Sequence, residues 1–112
     1  MLDHDRIPEP DPRAWARVTT YESQSSELLE NVLRLAVDET IPTGRELPGW
    51  KGAMALATEE RGKGIVITFW DSVETLISSG RAMHARVGDE QGFVGVTTSV
   101  ERLEIVHDER AE

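Results

Sequence analysis

Trp50-Lys51-Gly52-Ala53-Met54-Ala55-Leu56-Ala57, followed by Gly64-Ile65-Val66-Ile67-Thr68-Phe69-Trp70, decides the fold of this chain. Side chains alternate sides along a strand. Trp50, Met54 and Leu56 therefore fall on one face, and Ala53, Ala55 and Ala57 on the other. In the second stretch Ile65, Ile67 and Phe69 oppose Val66, Thr68 and Trp70. A sheet built on such strands is apolar on both faces and needs two covers.

Working outward, residues 14 to 22 form a first strand, with Trp15, Arg17, Thr19 and Tyr21 on one side and Ala16, Val18 and Thr20 on the other. Ser23-Gln24-Ser25-Ser26 then offers N-cap oxygens, and Glu27 and Glu30 suit the positive end of a helix. Leu28, Leu29, Val32, Leu33, Leu35, Ala36 and Val37 recur at helical spacing, and Pro42 and Gly44 are expected to end or kink that helix soon after Thr40. Arg61-Gly62-Lys63-Gly64 reads as the hairpin turn joining strands two and three. Asp71 and Glu74 have the spacing of a capping box. The helix it opens carries Val73, Leu76, Ile77, Gly80, Met83, His84 and Val87 on one face, and Gly88 and Gly92 close it. A last strand runs from about Val100 to His107; valines at even positions and Leu103 and Ile105 at odd ones predict a break in register near Glu101.

The order strand–helix–strand–strand–helix–strand is the ferredoxin-like split arrangement, an α+β fold with two helices on one face of a four-stranded antiparallel sheet. The helices supply one cover only. The open face calls for a second copy, which predicts a homodimer. Residues 1 to 13, with Pro8, Pro10 and Pro12 among charges, read as an extended arm. Residues 14 to 107 form the domain, and residues 108 to 112 an acidic tail.

Composition narrows the function classes. A net charge of −9 with no Lys/Arg cluster speaks against nucleic acid and against an anionic membrane surface. No apolar run approaches the roughly 20 residues that cross a bilayer, and the first residues lack the apolar segment of a signal peptide. A cytoplasmic location is the expectation. Zero cysteines excludes disulfides, thiolate metal sites and cysteine nucleophiles. His4, His84 and His107 are isolated and form no metal motif. Gly44-Arg45-Glu46-Leu47-Pro48-Gly49-Trp50-Lys51 imitates phosphate-loop glycine spacing, but Trp50 stands where the lysine belongs.

Two stretches carry a resemblance: Leu47-Pro48-Gly49-Trp50 entering strand two, and Phe69-Trp70-Asp71-Ser72-Val73-Glu74 where strand three meets the second helix. Over residues 14 to 107 the chain resembles the dimeric α+β barrel superfamily, and within it the antibiotic-biosynthesis monooxygenase-like domains. That resemblance implies two sheets facing each other across a dimer, and a pocket in each subunit between sheet and helices. The cofactor-independent quinone-forming members look like this chain at Trp70, but they carry an asparagine on the same strand where this chain has Val66, Ile67 and Thr68. The haem-degrading members pair a helix histidine with a strand-one asparagine and a second tryptophan on the second helix. His84 matches the histidine only with a gap, strand one offers Thr19 and Thr20, and the helix has no tryptophan. No cofactor is expected.

On an enzymatic reading, the likeness and a lone ionisable group on an apolar helix face place a pocket walled by Trp70, Leu76 and Met83, with His84 as base. A histidine on an apolar helix stripe can take a proton from a phenol near neutral pH; it also suits the negative end of a helix dipole. Trp70 reads either as a stacking wall for an aromatic substrate or as buried ballast worth about 4–6 kcal/mol. Tyr21 either points a hydroxyl into the pocket or packs in the core. Arg81 and Arg86 either orient an acidic or quinone oxygen or are solvated helix charges. Thr19, Thr68 and Ser72 have no acid or histidine at hydrolase spacing. Two functions follow: a cofactor-independent monooxygenase acting on a small aromatic or polyketide-like substrate, or a non-catalytic dimer that binds a small apolar ligand or serves as an interaction module.

Overall fold

A computed structural model describes residues 14–87 and 95–109, and the side chains of 84–87 lie outside that description. The proposed arm, the end of the tail, and Gly88 and Gly92 fall outside the described residues. Strands β1 (Trp15–Glu22), β2 (Trp50–Ala57), β3 (Lys63–Trp70) and β4 (Thr97–Glu104) form one sheet in the order β2-β3-β1-β4. All three pairings are antiparallel. Helices α1 (Ser26–Leu35), α2 (Ile41–Arg45) and α3 (Val73–Val87) complete the ferredoxin-like α+β fold. No described helix is long and apolar enough to cross a membrane.

Register assigns the faces. Directly opposed residues of an antiparallel pair share a side. Tyr21, Thr19 and Arg17 of β1 stand opposite Gly64, Val66 and Thr68 of β3, and this is the side the helices cover. Tyr21, Leu29, Val32, Ala36 and Val66 make the buried core there, with Leu33, Ile41 and Val96 packed against it. Gly64 lets α1 sit close, since a Cβ at that position would lie 2.8 Å from Leu33 Cδ2. The opposite side carries Met54 beside Ile67 and Leu56 beside Ile65. Met54, Leu56 and Leu103 all remain exposed on it.

Four local readings need correction. Trp50 does not share a face with Met54 and Leu56. A bulge between Trp50 and Gly52 inserts Lys51, pairs Trp50 with Trp70, and turns the indole to the helix side. At β4 no break occurs near Glu101: the strand pairs with β1 residue for residue from Thr97 to Glu104. Val100 and Leu103 simply lie on opposite faces. The first helix also does not stop after Thr40. One π-helical turn, Ala36–Thr40, leads straight into α2, with Ile41 N–H reaching Ala36 O. Pro42 sits in the first turn of α2. Finally, the hairpin turn comes before Lys63, and Arg61, not a glycine, takes the positive φ of 63°. Its guanidinium donates to Thr58 O at 2.7 Å and approaches Glu30 at 3.5 Å.

Ser25 caps α1 as its composition suggests, accepting from Leu28 N–H at 3.2 Å. At α3 the cap is Ser72, whose Oγ accepts from Thr75 N–H at 3.2 Å. A box centred on Asp71 is not available, because Asp71 N–H donates to Gly49 O at 2.9 Å. That bond ties the two stretches of the family resemblance together. Leu47-Pro48-Gly49-Trp50 forms a turn closed by Trp50 N–H to Leu47 O at 3.4 Å, with Gly49 at φ 86° as a type II turn requires. A Cβ on Gly49 would also lie 2.4 Å from Thr75 Oγ1. Replacing Gly49 with alanine is therefore expected to lower unfolding free energy by about 1–3 kcal/mol, read as a reduced urea midpoint at unchanged m-value.

Candidate functional site

The helix side of the sheet holds the chain's polar and aromatic singularities. Trp70 stands opposite Trp15 on one edge of β3 and opposite Trp50 on the other, so all three tryptophans form one row across β1, β3 and β2. Trp50 meets Trp70 edge to face, with ring centroids 5.4 Å apart. Gly44 of α2 admits that ring; a Cβ there would lie 2.8 Å from the Trp50 indole. Trp70 is fully buried, and its Nε1–H donates to the buried Thr68 Oγ1 at 2.9 Å.

Two residues further along β1, on the same side, Arg17 lies over the Trp70 ring with its Cζ 6.0 Å from the centroid. Its Nη2 donates to Leu76 O of α3 and to Ser79 Oγ at 3.3 Å. Ser79 in turn donates to Leu76 O at 2.7 Å. The guanidinium is thus clamped between an indole face and the backbone of a helix, a fixed rather than a wandering charge. Beside it opens a cleft of about 690 Å³, lined by Arg17, Leu76, Ile77, Gly80, Arg81, Val100 and Arg102. One wall is α3; the other is the helix side of β1 and β4. Gly80 keeps the α3 wall low, since a Cβ there would meet Arg17 Nη2 at 2.7 Å.

The cleft brings together two of the residues expected at a pocket, Leu76 and Arg81. Trp70 lies behind Arg17 and does not line it. Tyr21 is buried in the core beside Val66, and Met83 is buried near Gly44, both away from the cleft lining. His84 follows Gly80 by four residues in α3, and its side chain lies outside the described residues. Arg17, Arg102 and Val100 were missed. For Arg17 a signal exists in the sequence: a charge stands between Trp15, Thr19 and Tyr21 on the inward side of a strand, where charges are rarely placed without a partner. Arg102 and Val100 gave no such sign, because only the β1–β4 register brings them alongside. Among the described residues no three His, Asp or Glu side chains gather as a metal site.

No family model matches the chain, and no curated relative is found by sequence. Solved structures do match. A dimeric ferredoxin-like protein from an uncultured marine organism superposes with a TM-score of 0.72 at 15% identity, over 93% of this chain and 97% of that one. The monooxygenase from the ActVA-Orf6 gene of Streptomyces coelicolor, solved with nanaomycin D, gives 0.70 at 14% identity over 90% and 95%. This chain shares their ferredoxin-like α+β fold. The haem-degrading MhuD of Mycobacterium tuberculosis, solved with two haems bound, shares it at a TM-score of 0.64 and 21% identity, over 86% and 99%.

Within this fold the Trp70–Thr68 bond is open to a direct test. Thr68→Val keeps the side-chain shape and leaves a buried indole N–H without an acceptor. Stability should fall by about 1–3 kcal/mol, measured by urea denaturation with Trp fluorescence.

Proposed function

We propose that this protein is a cofactor-independent monooxygenase-like enzyme that takes a small aromatic or polyketide-like substrate into the cleft between α3 and the sheet. The supporting observation is the cleft itself: about 690 Å³, with Ile77 and Val100 as apolar surface and guanidinium groups at its walls. That volume lies within the range of small-molecule sites, and an apolar lining with a few convergent polar groups is their usual character. The fold shared with a monooxygenase solved with a polycyclic ligand supports the same reading. In the proposed reaction His84 removes a proton from the substrate, Arg81 orients the resulting oxyanion, and dioxygen attacks the electron-rich ring. Trp70, Tyr21 and Met83 are assigned to the supporting layer behind the site. The expected chemistry for an anthrone is conversion to the quinone, one atom of dioxygen entering the ring and the other leaving as water.

Incubation with anthrones and hydroxynaphthalenes in air and under argon tests this. Oxygen-dependent product from the native protein, reduced at least about a hundredfold in His84→Ala, is the expected result. Full turnover by that variant removes the histidine, and no product in air removes the activity.

One observation favours the second reading, a dimer that binds ligand without transforming it. The ionisable groups among the described lining residues are Arg17, Arg81 and Arg102, and a guanidinium is a donor that cannot serve as a base. Ligand binding without oxygen consumption would establish this reading instead. Under either one, the proposed partner is a second copy of the chain, docked through the sheet face that carries Met54, Leu56, Ile65, Ile67 and Leu103, in a cytoplasmic setting. Completing the burial of such side chains contributes on the order of 1 kcal/mol each. Leu56→Glu is expected to shift light-scattering mass from dimer toward monomer at micromolar concentration.

A further inference from the structure

We infer that the cleft selects an aromatic ligand bearing a carboxylate, whose anionic end is held by Arg81 and Arg102 while its ring lies on Ile77 and Val100. This rests on the reading that the cleft takes a small aromatic molecule, and adds to it the charge of that molecule.

Three observations carry it. First, the sign of the cleft is opposite to that of the chain. The sequence has 21 acidic residues against 12 basic ones, yet three arginines and no acidic residue line the cleft among the described residues. They come from three different elements, β1, α3 and β4, so helix composition or a local charge run does not account for the grouping. Second, Arg17 and Arg102 are direct register partners on the same side of the β1–β4 pair. Like charges placed opposite each other in a sheet destabilise it. The pairing sets two guanidiniums side by side at the cleft wall. Arg17 is already clamped by Leu76 O, Ser79 and the Trp70 face, so it supplies a fixed positive background. Arg81 and Arg102 are exposed at the cleft wall, where a planar fork can take up both oxygens of a carboxylate. Third, Val100 keeps 47% of its surface exposed although it lies on the helix side of β4, which leaves apolar area next to the guanidiniums. A flat apolar body with one charged end satisfies both parts of the wall. A purely apolar ligand would desolvate guanidiniums without compensation.

The test compares 1-hydroxy-2-naphthoate with 1-naphthol, two probes of the same ring system that differ by the carboxylate. Calorimetric titration of the native protein at low salt should give an affinity at least about tenfold higher for the naphthoate. Arg81→Gln/Arg102→Gln should lose that preference, the two probes then binding with equal affinity. Nuclear magnetic resonance of the native protein supplies a reading independent of any variant's folding. The naphthoate should move the Arg81 and Arg102 Nε–Hε signals downfield, as a charge-assisted hydrogen bond to a carboxylate does, and 1-naphthol should give no downfield shift. Equal affinity of the native protein for both probes overturns the inference, as does a preference that survives in the double variant, or arginine signals that ignore the naphthoate. Binding is read without turnover, so arginine-dependent naphthoate binding with no oxygen consumption would end the monooxygenase reading and leave this one standing. Oxygen-dependent turnover with no charge preference would do the reverse.

Discussion

The pairing of β1 along both of its edges governs everything on the helix side of this molecule. β3 and β4 each run antiparallel to it over the same eight residues, Trp15 to Glu22. Because each rung carries its residues on one side, a single register brings Trp15 beside Trp70, and Arg17 beside both Thr68 and Arg102. A slip of one residue would send the arginine and the tryptophans to the opposite face. The row of rings, the clamped guanidinium and the cleft next to it are therefore one consequence, set by the hydrogen-bond ladder rather than by any single contact.

Two backbone features adapt this ladder to the helices. The bulge at Lys51 moves Trp50 to the covered side, where it closes the row against Trp70 and fits over Gly44. The turn at Leu47-Pro48-Gly49-Trp50 then locks the start of β2 to the end of β3 through Gly49 O and Asp71 N–H. Ser72 caps the helix that follows, and Asp71 Oδ1 accepts from Thr75 Oγ1 beside it. The result is a rigid corner from which α3 departs, and α3 is the element that brings Leu76, Ile77, Gly80 and Arg81 to the cleft.

Electrostatics on the two sides of the sheet differ in kind. The open face is mainly an area of aliphatic side chains, with Met54, Leu56 and Leu103 exposed. On the covered face positive charge gathers at one cleft in an otherwise acidic chain. The first suits association through burial, which is non-directional and scales with area. The second suits recognition of a small molecule, where a fixed donor fork confers direction. The fold supports both without conflict because strand alternation keeps the two faces chemically independent.

Much of this was legible in the residues alone. The element order, the two-sided character of β3, the helix stripes and the Ser25 cap follow from local spacing, because periodicity of 2 or 3.6 is a property of the chain itself. Leu76 was legible as part of the inward stripe of its helix, whereas Arg81 stood off that stripe, and only the tertiary structure sets it beside the cleft. Other features depended on partners distant in sequence. The face taken by Trp50 depends on a bulge, which strict alternation cannot anticipate. The continuation of the first helix past Pro42 depends on a π turn that absorbs the ring. The meeting of Arg17, Arg102 and Val100 depends on which strands are neighbours and in what register, and that is settled by burial of the whole sheet rather than by any local stretch. The sequence by itself determined the strands, the helices and their oily sides; the tertiary structure alone decided which charges share a cleft, because long-range pairing sets the distance between side chains that the chain keeps far apart.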